Sequence, residues 1–372
     1  MKFTIQSQTL MQLLAAVSKA TPSRSEDPIL MNLLFELKKD MLRITATDGQ
    51  ITLRGLAKTD SVESEGKTTI PAKLLLELVK TLPSENITFT LQEKTIDIFW
   101  STGESSIPVM SPESYPEIRV PDKNSEFGFT TTSDILIKAI GKTSFAADTS
   151  DKHPALAGIL FDNVSGQTSL VASDSQKLVV NVIKTENTKK DSLFTLPLRA
   201  SLILKSILPK ETPVTVIHDD KSVRFVFGST ELSCQTIAEK FPAYQTIIPK
   251  TNTNVLTLSK DDLLMVLNRM SIVADKKTPI VKVSITSDKV QLEAQDLGLS
   301  TKGKETLPCK YDGEDITIGL KTYIISQSIA NIETEEISIS IENAKKAFLI
   351  TPSGEGAEEE NYKAVVMPYK VK

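Results

Sequence analysis

Residues 3–17 are Phe-Thr-Ile-Gln-Ser-Gln-Thr-Leu-Met-Gln-Leu-Leu-Ala-Ala-Val, and this stretch sets the pattern for the whole chain. Its apolar side chains recur at the spacing i, i+3, i+4, i+7, at Leu10, Leu13, Leu14 and Val17. Side chains with that spacing share one face of a helix. The sequence therefore predicts an amphipathic helix directly after Phe3-Thr4-Ile5.

The same pattern occurs twice more along the chain. Thr4 has counterparts at Thr130 and Thr257, which follow at intervals of 126 and 127 positions. The apolar helix residues of these copies are Leu136, Ala139 and Ile140, and then Leu263, Val266, Leu267 and Met270. A proline ends each copy, at Pro116, Pro242 and Pro368. Self-similarity at a fixed period indicates a chain built from repeated structural units.

Each copy continues with the same succession of elements. A proline-containing turn leads into an alternating hairpin, then a second amphipathic helix, then a second hairpin. Alternation with period two between turn residues is the signal for strands. The first hairpin of each copy ends near an acid, at Asp48, Asp174 and Asp296. The sequence thus predicts an α+β chain of three repeated domains, at 1–122, 127–249 and 254–372.

The main alternative is one large α+β enzyme whose internal similarity is accidental. The two histidines, His153 and His218, have no serine or cysteine motif around them. Cys234 and Cys309 lie 75 positions apart, without a Cys-x-x-Cys pair. We therefore predict no catalytic residue, no cofactor and no metal site. The sparse cysteines and the polar N-terminus predict a cytoplasmic protein that has no membrane partner.

The number of repeats limits what helices of such a chain could enclose. Packed helices lie about 9–10 Å apart, so six helices in a circle leave a hole of about 8 Å. Six units contain twelve helices and leave a hole of about 26 Å, which admits a hydrated duplex. Nine units, with two helices each, would leave a hole of more than about 40 Å. If helices line the hole, the repeat count predicts a ring of two chains joined head to tail.

Charge is distributed unevenly between the predicted helices and the rest of the chain. The helical segments are 8–20, 72–82, 133–144, 198–208, 259–271 and 320–332. Their basic residues are Lys19, Lys73, Lys80, Lys138, Lys142, Arg199, Lys205, Lys260, Arg269 and Lys321. Four acids reduce the helix total to +6, although the whole chain carries −4. A basic lining would attract phosphates without contacting base edges. The simpler alternative is that the charged faces of these helices are exposed to solvent and bind nothing.

Several segments resemble the bacterial DNA polymerase III beta subunit, and the resemblance covers the whole chain. They are Met1-Lys2-Phe3-Thr4, the run from Pro28 to Leu34, Ala172-Ser173-Asp174, Phe241-Pro242-Ala243-Tyr244 and Val365-Val366-Met367-Pro368. The resemblance implies the DNA clamp fold, with helices lining a homodimeric ring and sheets outside. It implies a sliding clamp that encircles duplex DNA, is loaded by a clamp loader, and gives the DNA polymerase III catalytic subunit its processivity.

The resemblance also implies a pocket that takes short peptides from the polymerase and from other replication or repair proteins. Its residues here are Leu156, Ser173, Gln176, Lys177, Leu178, Pro242, Ile247, Ala347, Val365, Val366, Met367, Pro368 and Tyr369. Apolar walls with a few polar rim groups suit a peptide anchor. The chain departs from the commoner family pattern at Ser175, Gln176, Lys177 and Thr246, so the resemblance does not define which partner peptides the pocket selects.

Two further sets of residues follow from the resemblance. Besides the helix residues Lys73, Lys80, Lys138, Lys142, Arg199 and Lys205, the loop residues Arg24, Lys152 and His153 are expected to face DNA. The dimer interface is expected to join the edge strand near Ile107 to the helix end near Ile272 and Val273. The alternative is a three-domain repeat scaffold that binds proteins only, which would not explain the basic helices.

Overall fold

The computed structural model describes residues 1–116, 119–121, 125–150 and 152–371. Two predicted domain limits, at 122 and 372, lie outside this part of the chain. The α-helices are α1 (Ser7–Val17), α2 (Ala72–Thr81), α3 (Ser133–Thr143), α4 (Leu198–Ile207), α5 (Lys260–Val273) and α6 (Thr322–Ala330). Their order confirms the predicted two helices in each repeat. None of the described helices is long and apolar enough to span a membrane.

The strands follow the same threefold order. In the first repeat they are β1 (Lys2–Gln6), β2 (Asn32–Lys38), β3 (Met41–Thr47), β4 (Ile51–Lys58), β5 (Ser61–Ser64), β6 (Gly66–Pro71), β7 (Asn86–Leu91), β8 (Thr95–Trp100) and β9 (Gly103–Pro108). In the second they are β10 (Phe127–Thr132), β11 (Gly158–Val164), β12 (Gln167–Ser173), β13 (Lys177–Lys184), β14 (Ser192–Pro197), β15 (Pro213–His218), β16 (Ser222–Phe227) and β17 (Thr230–Gln235). In the third they are β18 (Asn254–Ser259), β19 (Ile280–Ile285), β20 (Lys289–Asp296), β21 (Thr301–Pro308), β22 (Lys310–Tyr311), β23 (Ile316–Lys321), β24 (Glu336–Ile341), β25 (Phe348–Ser353) and β26 (Tyr362–Val366).

The prediction of two hairpins per repeat was incomplete, because each repeat contains additional strands. A strand precedes each first helix, a third strand extends each hairpin, and another strand leads into the second helix. The third strand β4 contains Arg54 and Gly55, which interrupt its apolar pattern. The last strands, β9, β17 and β26, mix polar and apolar residues, so their alternation is weak. Pairing to neighbouring strands holds them in place.

The chain divides into two compact units, and the division passes through the second repeat. The first unit comprises Met1–Asp134, Glu186–Ser192 and Arg199–Thr236. One of its sheets has the strand order β5-β1-β7-β8-β9, and the other has the order β10-β15-β16-β17-β4-β3-β2-β6. The larger sheet joins two repeats, because β17 pairs antiparallel with β4 and places Leu232 opposite Leu53.

Helix α1 packs against the larger sheet of the first unit. Its residues Leu10, Leu14 and Val17 are fully buried, as the helical spacing predicts. Gly55 of β4 leaves the space that the side chain of Leu13 occupies, since an added Cβ there would lie 2.1 Å from Leu13 Cδ1. The glycine that weakens the strand pattern of β4 is therefore required for the packing of the helix against the sheet.

The second unit comprises Ile135–Thr185, Leu193–Leu198 and Ile237–Lys372. Its larger sheet has the order β14-β11-β12-β13-β26-β25-β24-β18-β22, and its smaller sheet the order β21-β20-β19-β23. The larger sheet again joins two repeats, here through the β13–β26 pair, in which Leu178 lies opposite Val365. Helix α5 begins with a cap, because the Ser259 hydroxyl accepts a hydrogen bond from the backbone N–H of Asp262.

Candidate functional site

Basic side chains occupy the exposed side of α2 in the first unit. Lys73 and Lys80 are exposed, whereas Leu75 and Val79 of the same helix are buried. Lys19 lies in the short 3-10 helix Ser18–Ala20, and its ammonium donates to the carbonyl (3.2 Å) and the hydroxyl (2.9 Å) of Ser206, one residue before the end of α4. The first unit therefore presents several cations on and beside its helices.

The two predicted DNA-facing residues of α4 differ in their partners. Lys205 is exposed in the last turn of the helix. Arg199 is about half exposed, and its guanidinium forms an ion pair with the largely buried carboxylate of Asp48. The predicted loop residue Arg24 is exposed as well. Part of the positive charge of this region is thus balanced within the unit, by one of the three acids that recur at the hairpin ends.

The two lysines of α3 in the second unit differ in exposure. The side chain of Lys138 is 67% exposed, but that of Lys142 is only 11% exposed. The Lys142 ammonium lies 3.0 Å from a carboxylate oxygen of Glu333 and 2.7 Å from one of Glu360. Its hydrogen bond to Glu333 is the main reason why the pKa of that carboxyl lies below its usual value. No local pattern predicts these two glutamates as partners, because they follow α3 by about 200 positions.

Counted over the α-helices that the structure describes, the net charge is +4 rather than +6. The difference arises because Lys19 lies in a 3-10 helix and Lys321 occupies the position before the first residue of α6. Several helix charges also have a local reason. Asp134, Asp261 and Asp262 lie in first turns and Lys80, Lys142 and Lys205 in last turns, where they complement the helix dipole. The helices remain basic, while the chain as a whole carries −4.

The predicted loop residues of the second repeat lie next to a short 3-10 helix, Pro154–Leu156. Lys152 and His153 are both exposed. His153 Nδ1 lies 2.7 Å from a carboxylate oxygen of Asp148. The pKa of Asp148 is lowered, first by a hydrogen bond from the backbone of Ser150 and also by His153, and opposed by burial. His153 is thus held by a carboxylate at the surface of the loop.

Four of the predicted pocket residues belong to one apolar cluster in the second unit. Leu156, Leu178 and Val365 are buried in it, and Ala347 packs against it. The other members were not predicted as pocket residues: Leu160, Val171, Val180, Phe241 and Tyr244 are buried there, and Val182, Ile248 and Leu349 pack against them. Their signal in the sequence is the continuous apolar runs of β11 and β13, together with the apolar residues on both sides of Pro242.

Other predicted pocket residues lie at the edge of this cluster or provide its polar groups. Ile247 and Met367 are about half exposed, Pro242 is exposed, and Val366 is buried. The Ser173 hydroxyl donates to the carbonyl of Lys177, whose ammonium forms a 2.6 Å ion pair with Asp174. An apolar floor with exposed apolar side chains beside it has the character of a peptide-binding surface.

Gln176 connects the end of the chain to the smaller sheet of the second unit. Its Oε1 accepts hydrogen bonds from the Tyr369 hydroxyl and from the Lys321 ammonium, both at 2.8 Å. The backbone of Tyr369 pairs with Gly319 of β23, and Pro368 is partly buried before it. The carboxamide at position 176 therefore fixes the segment that follows β26.

The predicted interface residues show different surroundings in the two units. Ile107 is buried, but its strand β9 is an edge of the smaller sheet of the first unit. In the second unit Ile272, near the end of α5, is 71% exposed and its neighbour Val273 is half-buried. Leu297 and Leu299, in the turn between β20 and β21, are 82% and 67% exposed. Large exposed apolar side chains are candidates for a protein interaction site where they form a contiguous patch. Both leucines were absent from the predicted interface because they lie in a turn.

Within the described ranges, no group of three or more His, Cys, Asp or Glu side chains is arranged to hold a metal ion. Basic helices, an apolar cluster where two repeats join, and a threefold-repeated chain together define a sliding clamp as the class of protein. Comparison with known proteins agrees with that class.

Family models for the N-terminal, central and C-terminal domains of the DNA polymerase III beta subunit match residues 1–119, 130–243 and 245–370. The chain belongs to the DNA polymerase III beta subunit family. It is accordingly a processivity clamp and not an enzyme. The three matches, in chain order, also confirm the three-domain clamp fold predicted from the sequence.

Similar proteins cover the chain from end to end. The beta sliding clamp of Synechococcus elongatus is 24% identical, with 95% of this chain and 96% of the relative covered. That of Haemophilus influenzae is 23% identical, with both chains fully covered. Among solved structures, the DNA polymerase III subunit beta of Pseudomonas aeruginosa has a TM-score of 0.94 at 20% identity, and that of Thermotoga maritima 0.91 at 25%, each over the full length of both chains.

Proposed function

We propose that two copies of this chain close head to tail into a ring around duplex DNA and hold the replicative polymerase on it. Its three domains are 1–122, 127–249 and 254–372. The observation that carries the proposal is the excess of positive charge on the helices of a chain whose net charge is −4. The partners are DNA, a second copy, the clamp loader, the DNA polymerase III catalytic subunit and other clamp-binding proteins, in the cytoplasm at the nucleoid.

Retention on circular DNA tests the encirclement. The protein is loaded onto a nicked plasmid by its clamp loader, and bound protein is measured by gel filtration before and after one restriction cut. We expect retention on the circle and release from the linear form, because a ring slides off an open end. Equal retention on both forms would support a scaffold or a direct DNA binder instead.

The helix surface is tested by Lys73→Glu with Lys80→Glu, two exposed charges of α2. Retention should weaken and its logarithmic salt dependence should fall by up to about two, because two cations no longer release counterions. Lys94→Glu with Lys289→Glu, at turn and strand-start positions outside the helices, is the matched control and should change neither quantity. An unchanged salt dependence in the helix variant would contradict a basic lining.

We further propose that the cluster around Leu178 and Val365 binds the peptide motif of the polymerase. The half-exposed Met367 and partly buried Pro368 lie directly after β26 and offer removable contacts. Met367→Ala with Pro368→Ala should abolish polymerase stimulation while the ring still remains on circular DNA. Griselimycin, which is bound in solved clamps of Pseudomonas aeruginosa and Bartonella birtlesii, provides a competitor for the same assay. Full stimulation by the double variant would place the polymerase contact elsewhere.

A further inference from the structure

The repeats create two comparable places where sheets of neighbouring repeats join, and their side chains differ in character. In the second unit Leu178 and Val180 of β13 belong to the apolar cluster described above. The residues 126 positions earlier are Thr52 and Arg54 of β4. In the first unit Arg54 lies opposite Glu231 of β17, and Thr52 opposite Ser233. One junction is therefore apolar, and its counterpart is polar and charged.

Three arginine side chains line one cavity at the polar junction. A cavity of about 320 Å³ is lined by Arg43 of β3, Arg54 of β4 and Arg224 of β16. Among the described lining residues, the carboxylate of Glu231 is the one acidic group. It lies 3.1 Å from Arg54 Nη1 and 3.7 Å from Arg224 Nη1. Arg43 has a weaker partner, because its Nη1 is 4.0 Å from Glu36. Positive charge is in excess in this cavity.

Arg224 provides independent evidence that the cavity can bind an acceptor group. Its side chain is only 9% exposed. In the part of the chain that the structure describes, its Nε has no hydrogen-bond partner. A buried N–H group without a partner loses its hydration and gains no hydrogen bond in exchange, so such groups are rare in folded proteins. The side chain of Arg54 is 27% exposed and that of Arg43 is 53% exposed. The exposed fraction therefore increases from the buried Arg224 through Arg54 to Arg43.

The cavity lies on the face of the sheet that points away from α1. Gly55 faces Leu13 of α1, and successive residues of a strand point to opposite faces. Arg54 and Leu56, which both line the cavity, therefore point away from the helix. In the proposed ring the helices face the DNA, so the phosphates of the encircled duplex do not reach this cavity. A partner protein that carries carboxylates can approach the cavity, because this face of the sheet lies on the outside of the proposed ring.

We infer that this arginine cavity binds an acidic peptide segment of a partner protein. Carboxylates and guanidinium groups pair through two parallel hydrogen bonds, which is the strongest form of such an ion pair. A cavity of about 320 Å³ lies at the small end of ligand sites, so it holds two or three side chains rather than a folded domain. The site is separate from the apolar peptide pocket and lies in a different unit of the chain.

Fluorescence anisotropy with a fluorescein-labelled octaglutamate peptide tests this inference on the full-length protein. The peptide should bind at low salt, and Arg43→Gln with Arg54→Gln should weaken binding at least about tenfold. The matched control Lys94→Gln, an exposed charge in the turn after β7, should stay within about twofold. Glu231→Gln should tighten binding, since it releases two guanidinium groups, whereas Glu93→Gln in the same control turn should not. Circular dichroism verifies the fold of each variant.

Several results would overturn the inference. The first is no binding by the unaltered protein, and the second is equal weakening by the arginine pair and by Lys94→Gln. The third is more effective displacement of the peptide by inorganic phosphate, or by a short single-stranded oligonucleotide, than by free glutamate when competitors are compared at equal concentrations of negative charge. That result would indicate a phosphate site. The arginine variant should retain full loading on circular DNA, so failure of this inference is distinguishable from failure of the clamp proposal.

Discussion

The acid at the end of each first hairpin has the same structural role in all three repeats. One carboxylate oxygen accepts hydrogen bonds from two successive backbone N–H groups two and three residues later. Asp48 accepts from Gln50 and Ile51, Asp174 accepts from Gln176 and Lys177, and Asp296 accepts from Gly298 and Leu299. All six donor–acceptor distances lie between 2.7 and 3.0 Å. An aspartate that forms such a turn recurs for folding reasons. This explains the recurrence without any metal or catalytic role.

His218 makes the stability of the first unit depend on pH. It is buried, its ring stacks against Phe127 with centroids 5.4 Å apart, and its Nε2 lies 2.9 Å from the Ser192 hydroxyl. Burial lowers the pKa of His218, although Asp219 and Asp220 oppose the shift. The unfolded chain therefore takes up the proton first when the pH falls below about 6.5. Stability from the neutral ring is present above that pH and is lost towards the lower folded pKa.

We expect the urea midpoint of the protein to decrease between about pH 7.5 and about pH 5, and the decrease to be smaller in His218→Gln. Glutamine does not titrate, and its carboxamide can accept or donate a hydrogen bond at the Ser192 hydroxyl. Carboxylates titrate equally in both proteins, so the difference between the two slopes isolates the histidine. Parallel slopes would mean that the ring has the same proton affinity in the folded and unfolded chain.

At the scale of elements, the periodicity of the sequence identified the helices well. Their apolar positions repeat at helical spacing, and Leu10, Leu14 and Val17 are all buried as predicted. The strands were harder to predict because their neighbours determine them. Leu53 lies opposite Leu232, 179 positions away, and no local pattern encodes that register. The same limit applies to the candidate site, where Leu178 and Val365 were assigned through the family resemblance and not through any spacing.

The ion pairs of α3 show that the presence of a basic residue in a helix does not by itself predict that its side chain is exposed. Lys142 occurs one helical turn after Lys138 and looks equivalent in the sequence, yet it is buried against Glu360, whose side chain is 6% exposed. An unpaired buried charge destabilises a protein strongly, while an exposed pair such as Lys138 with Glu333 contributes little. We therefore assign Lys142 a role in joining α3 to the segment before β26.

Lys142→Met should lower the free energy of unfolding by about 3 kcal/mol, because Glu360 then remains buried without its cation. Adding Glu360→Gln should restore most of this loss, since the double variant contains no unpaired charge. Lys138→Met is the control and should change stability by less than about 0.5 kcal/mol. Urea denaturation of the unaltered protein, the single variants Lys142→Met and Glu360→Gln, and the double variant completes the cycle. Additive losses in the double variant would show that the two side chains do not interact.

At the scale of the whole molecule, the first and third repeats each have an edge strand, β9 and β21, in the sheets that the structure describes. The edge strand β9 of the first repeat carries the exposed Glu104, and the edge strand β21 of the third carries Lys302 and Lys304. Antiparallel pairing of β9 with β21 of another copy would cover both edges and match their charges. The exposed Ile272, beside β21, would become buried in the same contact. In the proposed ring, repetition of this contact around a twofold axis would close the circle after two chains.

Ile272→Glu should break this contact, because it places a carboxylate in an interface that must exclude water. Sedimentation equilibrium should give about twice the chain mass of 40.8 kDa for the unaltered protein and the single mass for the variant. Leu193→Glu, which alters an apolar side chain of similar exposure in β14, is the control and should remain a dimer. The monomeric variant should also lose retention on circular DNA while its folded units still bind the polymerase peptide. A dimeric Ile272→Glu protein would show that the two chains meet through another surface, and the ring would then need a different seam.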